Sequence, residues 1–207
     1  MIQSTLAGFA LVCIGVSAAT AQTRWPADQD RYQLGSLPLH SAPVCRVTVP
    51  RLAMDSLGPL RPGQILRDVE RVCPRLLYGW DWGTEGIPAP AVVLRLGGAV
   101  VKMEFPDTTS SSGANRVSTD SRLVKTVDGF GPGSSLTAMT RAWGPPTFGA
   151  AECVLYVWFS SHPGLSFRVD VPKRWRCEDV LAVEQGNSAK LPPSTTVRDV
   201  FLFRKDK

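Results

Sequence analysis

Histidine is scarce in this sequence, and several motifs of enzymatic and metal-binding sites are absent. The chain has two histidines, His40 and His162, so a Ser-His-Asp site would have to use one of them. No G-x-S-x-G motif supports such a site. No C-x-x-C pair occurs either, which leaves a zinc site or a thioredoxin-like redox motif without support. We therefore expect no cofactor and no metal.

Neither histidine lies in a segment that favours catalysis. His40 falls in a Pro- and Gly-rich stretch that is not expected to be rigid, whereas this chemistry requires preorganised geometry. His162 lies in a predicted hairpin turn beside Ser160 and Ser161. Since adjacency on a turn does not by itself produce a hydrogen-bonded relay, we expect no catalytic Ser-His pair there.

Charge is absent from the first 21 residues, and no apolar run is long enough to cross a membrane. A run from Leu6 to Val16 is followed by small residues, which is typical of a secretory signal peptide cleaved near Ala21. A spanning helix would need about 20 apolar residues. Lipidation would have to use Cys13, which follows a poor lipobox. The sequence predicts a secreted or periplasmic protein with no transmembrane segment in the mature chain.

Cleavage near Ala21 would leave four cysteines, an even number that fits an oxidising compartment. They allow three pairings. Cys153 begins one strand of a predicted hairpin, and Cys177 follows the partner strand closely enough to turn back towards it. Cys45 faces inward from a predicted strand, and Cys73 ends a helix expected to pack on the same sheet. We predict the disulfides Cys45–Cys73 and Cys153–Cys177.

The stretch from Asp128 to Pro146 repeats the pattern of an earlier stretch, Ser56 to Pro74. In both, a Pro-Gly turn precedes apolar residues at helical spacing, and proline ends the segment. Leu66 and Leu136 correspond at one constant offset. The repetition predicts a duplicated unit, with these two leucines at matching core positions on short helices.

A β-hairpin is predicted after each helix. Gly97-Gly98 separates Ala91–Leu96 from Ala99–Phe105, and the second hairpin joins Cys153–Phe159 to Leu165–Val171. Two tandem units of a helix and an antiparallel hairpin predict an α+β fold, with the helices on one face of the sheet.

These patterns also divide the chain. We predict a signal peptide at 1–21, an extended leader at 22–42, a first α+β repeat at 43–106, a Ser/Thr-rich linker at 107–121, a second α+β repeat at 122–185, and a tail at 186–207 with an edge or closing strand near 196–203.

An aromatic, glycine-rich connection contains the most informative side chains, Tyr78, Trp80, Asp81, Trp82 and Glu85. Exposed aromatic residues beside carboxylates stack on sugar rings or anchor protein interfaces. Two carboxylates could also act as acid and base in glycoside hydrolysis. The alternative is structural, with the tryptophans covering the end of the sheet and Asp81 shaping a turn.

Basic residues are concentrated at Lys173, Arg174, Trp175 and Arg176, in a chain of net charge +5. Such a cluster could contact phosphate or an anionic glycan, or it could be a solvated turn after a strand. Because the chain is predicted to be secreted, nucleic acid is not an expected partner. The glycine-rich stretch 129–135 could similarly cradle a phosphate, or simply form a turn.

The run from Gly133-Ser134-Ser135-Leu136 through Gly144-Pro145-Pro146 carries a family resemblance. A Gly-rich turn, a short helix, a Gly-x-Pro stop and a β-meander resemble the SmpA/OmlA-type outer-membrane-assembly lipoproteins and the β-lactamase inhibitor protein. The resemblance covers Ser56–Phe105 and Val127–Val171, although the first copy has Cys73-Pro74 in place of Gly-x-Pro.

That resemblance implies a binding or scaffolding protein whose sheet presents a partner surface. The sequence thus favours a non-enzymatic secreted or periplasmic protein that contacts another protein or an anionic envelope polymer. The alternative is an extracytoplasmic glycan hydrolase that uses Asp81 and Glu85.

Overall fold

The computed structural model describes residue 25 and residues 41–45, 48–82, 88–109 and 111–204. The predicted signal peptide, most of the predicted leader and Glu85 lie outside these residues. The described part of the chain contains three α-helices and a nine-stranded, mostly antiparallel sheet, so the α+β prediction is confirmed. None of its helices is long and apolar enough to span a membrane.

The elements follow one another in a simple order. They are β1 (Val44–Cys45), α1 (Leu66–Val72), β2 (Leu77–Trp82), β3 (Pro88–Leu96), β4 (Ala99–Glu104), β5 (Arg116–Thr119), α2 (Leu136–Trp143), β6 (Thr147–Ala151), β7 (Val154–Trp158), β8 (Leu165–Val169), α3 (Cys177–Glu184) and β9 (Val197–Phe203). A short 3-10 helix, Ser188–Lys190, precedes β9. More strands therefore follow each of α1 and α2 than the two strands of the predicted hairpin.

One continuous sheet joins the two halves of the chain. Its strands lie in the order β3-β4-β5-β9-β8-β7-β6, and both β1 and β2 pair with β3. Among the described strands, β1 alone runs parallel to its partner. The last strand, β9, lies in the middle of the sheet, where Ser118 pairs with Phe201. The strand predicted near 196–203 is present, but it is not an edge strand, because β9 pairs on both sides, with β5 and β8.

Strand β5 falls inside the segment predicted as a linker. Composition suggested solvated chain there, but Arg116–Thr119 pairs with β4 on one side and β9 on the other. The backbone groups of Ser and Thr form the hydrogen bonds between strands, so a polar composition does not prevent a central strand. The linker prediction is wrong for these residues.

The turns before α1 and α2 are held by equivalent hydrogen bonds. The Gly63 amide donates to the Ala114 carbonyl at 2.7 Å, and the Gly133 amide donates to the Val197 carbonyl at 2.7 Å. Both glycines have φ in the left-handed region, +88° and +82°. The turn before α1 is therefore hydrogen-bonded to the backbone near the start of β5, and the turn before α2 to the start of β9.

Leu66 and Leu136 are the first residues of α1 and α2, and both are buried in the main apolar core. Ser135 caps α2 by accepting a hydrogen bond from the Ala138 amide at 3.4 Å. Both segments are helical, as the predicted duplication requires.

Two tight turns connect the strands of β-hairpins, β3–β4 and β6–β7. Gly97 and Gly98 both have positive φ, and a Cβ on Gly97 would lie 2.3 Å from the Val49 nitrogen. Only glycine fits this position. The turn between β6 and β7 instead uses Glu152 and Cys153, with φ of +49° and +62°.

Both predicted disulfides are present. Cys45 and Cys73 have Cα atoms 5.1 Å apart, and Cys153 and Cys177 have Cα atoms 4.6 Å apart. The first ties β1 to the end of α1, and the second ties the β6–β7 turn to the start of α3. Two disulfides indicate an oxidising, extracytoplasmic location.

The main core lies between the helices and one face of the sheet. Alternate strand residues such as Leu94, Met103 and Phe167 are fully buried in it. The buried residues of all three helices belong to the same core. The remaining strand residues point to the opposite face, which forms the candidate site.

Candidate functional site

The sheet face opposite the main core carries charged and aromatic residues on its central strands. We call it the open face and define it by residues that the strand register and the alternation of side chains place together. They are Asp81, Lys102, Glu104, Arg116, Tyr156, Trp158, Arg168, Asp199, Phe201 and Phe203.

An ion-pair network occupies the half of the open face built from β2, β4 and β5. Lys102 pairs with Asp81, and its Nζ lies 3.5 Å from Glu104 Oε1. Arg116, directly across from Glu104, donates from Nη2 to Glu104 Oε1 at 2.6 Å. Glu104 and Arg116 are only 5% and 7% exposed, so this pair is desolvated.

The other half of the open face also has a cross-strand ion pair, with the order of acid and base reversed. Arg168 on β8 pairs across the ladder with Asp199 on β9, so the base now precedes the acid along the chain. Asp199 is buried. The two cross-strand pairs therefore lie in opposite halves of the sheet, with Ser118 and Phe201 between them at the β5–β9 junction.

Burial dominates the electrostatics of these carboxyl groups. It raises the pKa of Glu104 above its usual range, although the charges of Arg116 and Lys102 act in the opposite direction. Burial likewise raises the pKa of Asp199, against the effect of Arg168. Both acids thus carry a desolvation cost that their basic neighbours offset only in part.

Each arginine retains an unused donor. The Nε atoms of Arg116 and Arg168 are buried without a hydrogen-bond partner among the described residues. A guanidinium group presents several donors in a fixed fork and favours planar acidic groups.

Aromatic rings surround the arginines. The Arg116 guanidinium lies 5.2 Å from the centre of the Phe201 ring, a cation–π distance. Tyr156 and Phe203 contact Phe201, with ring centres 5.9 Å and 6.2 Å away. Trp158 and Phe203 remain 40% and 42% exposed. Arginine and aromatic residues in one patch are the composition of interface hot spots.

The predicted aromatic site is divided between the two faces of the sheet. Tyr78 and Trp80 alternate with Asp81 along β2, so only Asp81 lies on the open face. Tyr78 packs on the core, with its ring centre 5.2 Å from that of Trp25. The Trp82 side chain lies outside what the structure describes, as does Glu85. Asp81 pairs with Lys102, so the open face brings it together with Lys102 and Glu104 and separates it from Tyr78.

The predicted basic cluster forms a turn between β8 and α3. Lys173, Arg174 and Arg176 are exposed, whereas Trp175 packs against the main core. Asp179 accepts a hydrogen bond from the Arg176 amide at 3.1 Å, which lowers the pKa of Asp179. The cluster has the geometry of a solvated turn, and the structure does not join it to the open face.

Sequence reasoning missed a contact made by His162. Ser161 Oγ lies 3.0 Å from His162 Nδ1, and His162 Nε2 lies 3.5 Å from Asp128 Oδ2, so the three side chains do form a chain of contacts. However, Ser161 donates its one hydroxyl proton to the Trp143 carbonyl at 3.0 Å. The hydroxyl must then accept from Nδ1, so the histidine does not activate it as a nucleophile.

The glycine-rich stretch before α2 forms a closed turn. The Gly131 amide donates to Ser134 Oγ at 3.0 Å, and the Phe130 amide donates to Thr126 Oγ1 at 3.1 Å. The Gly133 amide donates to the Val197 carbonyl on β9. With these amides occupied, the turn interpretation is favoured over a phosphate cradle.

The architecture defines an α+β protein with a nine-stranded, mostly antiparallel open sheet. No family model matches the sequence, and no curated protein matches it. Among solved structures, the chain is similar to the uncharacterized protein yfeY from Escherichia coli, with a TM-score of 0.51 and 13% sequence identity. The match covers 74% of this chain and 99% of that chain. At this identity, the similarity concerns the fold alone.

The raised pKa of Tyr78 leads us to expect a loss of stability at alkaline pH. Burial and a hydrogen bond from its hydroxyl to Glu70 Oε1 at 2.8 Å raise the pKa of Tyr78 above its ordinary value. The folded state therefore holds the proton more tightly than the unfolded chain. The resulting stability is complete below about pH 10 and is lost as the pH rises further.

Urea unfolding between about pH 9 and about pH 11 measures this effect. Replacing Tyr78 by phenylalanine should flatten the alkaline decline. An unchanged slope in Tyr78→Phe would show that the hydroxyl is not protected by folding.

Proposed function

We propose that this protein is a non-enzymatic, secreted or periplasmic binding protein, and that its open face contacts another protein of the cell envelope. The observation that carries the proposal is the exposure of Trp158 and Phe203, 40% and 42%, on the same sheet face as Arg116 and Arg168. Exposed aromatic rings next to arginine side chains are typical anchors of a protein interface.

The chemistry of the open face favours a protein partner that packs against its aromatic rings. Arg168 and Arg116 lie in opposite halves of the sheet, each already held by one carboxylate. Aromatic rings next to them offer apolar contact area at low cost in conformational entropy. The resemblance to outer-membrane-assembly lipoproteins and the β-lactamase inhibitor protein implies the same kind of role, a sheet that presents a partner surface.

Affinity capture from envelope extract tests the proposal through a matched pair of variants. The double substitution Trp158→Ala and Phe203→Ala removes two exposed rings from the open face. Loss of such anchors weakens binding by about 30-fold or more each, so a protein captured by the wild type should be absent. The control Leu181→Ala changes a residue on α3 that is 44% exposed and should retain capture.

Two results contradict the proposal. One is capture of the same protein by the double variant and the wild type. The other is binding that survives protease digestion of the extract, which would assign the open face to an envelope polymer.

A further inference from the structure

A cavity on the helix side of the molecule has no role in the proposed function. Its volume is about 670 Å³, within the range of about 300–1,000 Å³ typical of small-molecule sites. It lies between α2, β6 and the segment that precedes β9. The walls are largely apolar and include Leu136, Pro146, Phe148, Leu191 and Pro193.

Two threonine hydroxyls of the wall already donate hydrogen bonds within the protein. Thr137 Oγ1 donates to the Pro193 carbonyl at 3.3 Å, and Thr140 Oγ1 donates to the Leu136 carbonyl at 2.9 Å. Neither hydroxyl can donate a second hydrogen bond. The cavity therefore offers few polar contacts, which narrows the kind of ligand that fits it.

Thr195 and Arg141 of the cavity have no such partner within the described ranges of the chain. Thr195 is 5% exposed, and its hydroxyl oxygen is buried with no hydrogen-bond partner among the described residues. Arg141 lies on the wall, and in the described part of the chain it forms no ion pair. No acidic side chain lines the cavity among the residues that the structure describes. The cavity thus combines apolar walls, one unpaired cation and one unsatisfied hydroxyl.

We infer that this cavity binds a small amphipathic anion, a carboxylate on an apolar chain. The apolar chain of the ligand lies against Leu136, Phe148 and Leu191, and the carboxylate of the ligand pairs with Arg141. The ligand is a free molecule, because the cavity has the volume of a small-molecule site.

Isothermal titration with octanoate tests this site, with 1-octanol as the uncharged ligand of the same chain length. The wild type should bind octanoate, and Arg141→Gln should weaken that binding about tenfold, the usual effect of losing one charged hydrogen bond. The affinity for 1-octanol should not change in this variant. Arg141 is exposed, so the substitution leaves the fold intact.

Thr195→Val is a control within the same cavity. Valine keeps the shape and removes an unsatisfied buried hydroxyl, so the melting temperature should stay the same or rise. Because the hydroxyl oxygen is buried within the wall, the affinity for octanoate should not change.

Three results would overturn the inference. They are no octanoate binding at millimolar concentration, equal octanoate affinity in the wild type and Arg141→Gln, and cosedimentation with phosphatidylglycerol vesicles that Arg141→Gln abolishes. The last would assign Arg141 to a membrane lipid and not to a free molecule. None of these results depends on the open face.

Discussion

Replacing Arg116 by methionine is expected to lower the free energy of unfolding by about 3–5 kcal/mol. The substitution leaves the Glu104 carboxylate buried in the sheet, with Lys102 as its remaining basic neighbour. Urea denaturation at neutral pH measures the loss. Because burial raises the pKa of Glu104, the loss should shrink as the pH falls and the carboxyl group becomes neutral.

Arg71→Met is the matched control. Arg71 pairs with Asp68 at 2.8 Å on the surface of α1, where the two side chains are 67% and 39% exposed. An exposed pair of this kind contributes about 0–1 kcal/mol. If Arg116→Met and Arg71→Met destabilise the protein equally, the Glu104–Arg116 pair is not buried as described.

Removing either disulfide is expected to lower the free energy of unfolding by about 3.5 kcal/mol in the chain-entropy model. Cys45–Cys73 and Cys153–Cys177 enclose similar sequence separations, 28 and 24 residues, so the two losses should be nearly equal. For a chain of this size the melting temperature should fall by roughly 10 °C in each alanine double variant. Differential scanning calorimetry measures both.

A fall of less than about 1 kcal/mol in either double variant would contradict the assigned role of that disulfide.

Features set by neighbouring residues could be predicted from the sequence. The Pro-Gly turns and apolar spacing identified α1 and α2, and Gly97-Gly98 identified the hairpin of β3 and β4. Strand β6 was missed because its turn uses Glu152 and Cys153, which carry no turn signal. α3 was missed as well, since its apolar residues are few and Val180 and Val183 alone are buried.

The candidate site depends on pairings between distant parts of the chain. Alternation placed Lys102 and Glu104 on the solvent face of a hairpin, but the partners of Glu104 and Arg168 lie on β5 and β9. One of these strands was predicted as linker and the other as an edge. Without the β5–β9 junction, nothing in the sequence brings Arg116, Arg168 and Phe201 onto one surface.

Site-specific photocrosslinking in the cell envelope is the most direct test of the central claim. A photoreactive phenylalanine analogue at Phe203 reports contacts of the open face, and the same analogue at Leu181 reports contacts of α3 on the helix side. We predict one discrete protein adduct from position 203 and none from position 181. An adduct confined to position 181, or identical adducts from both positions, would contradict binding through the open face.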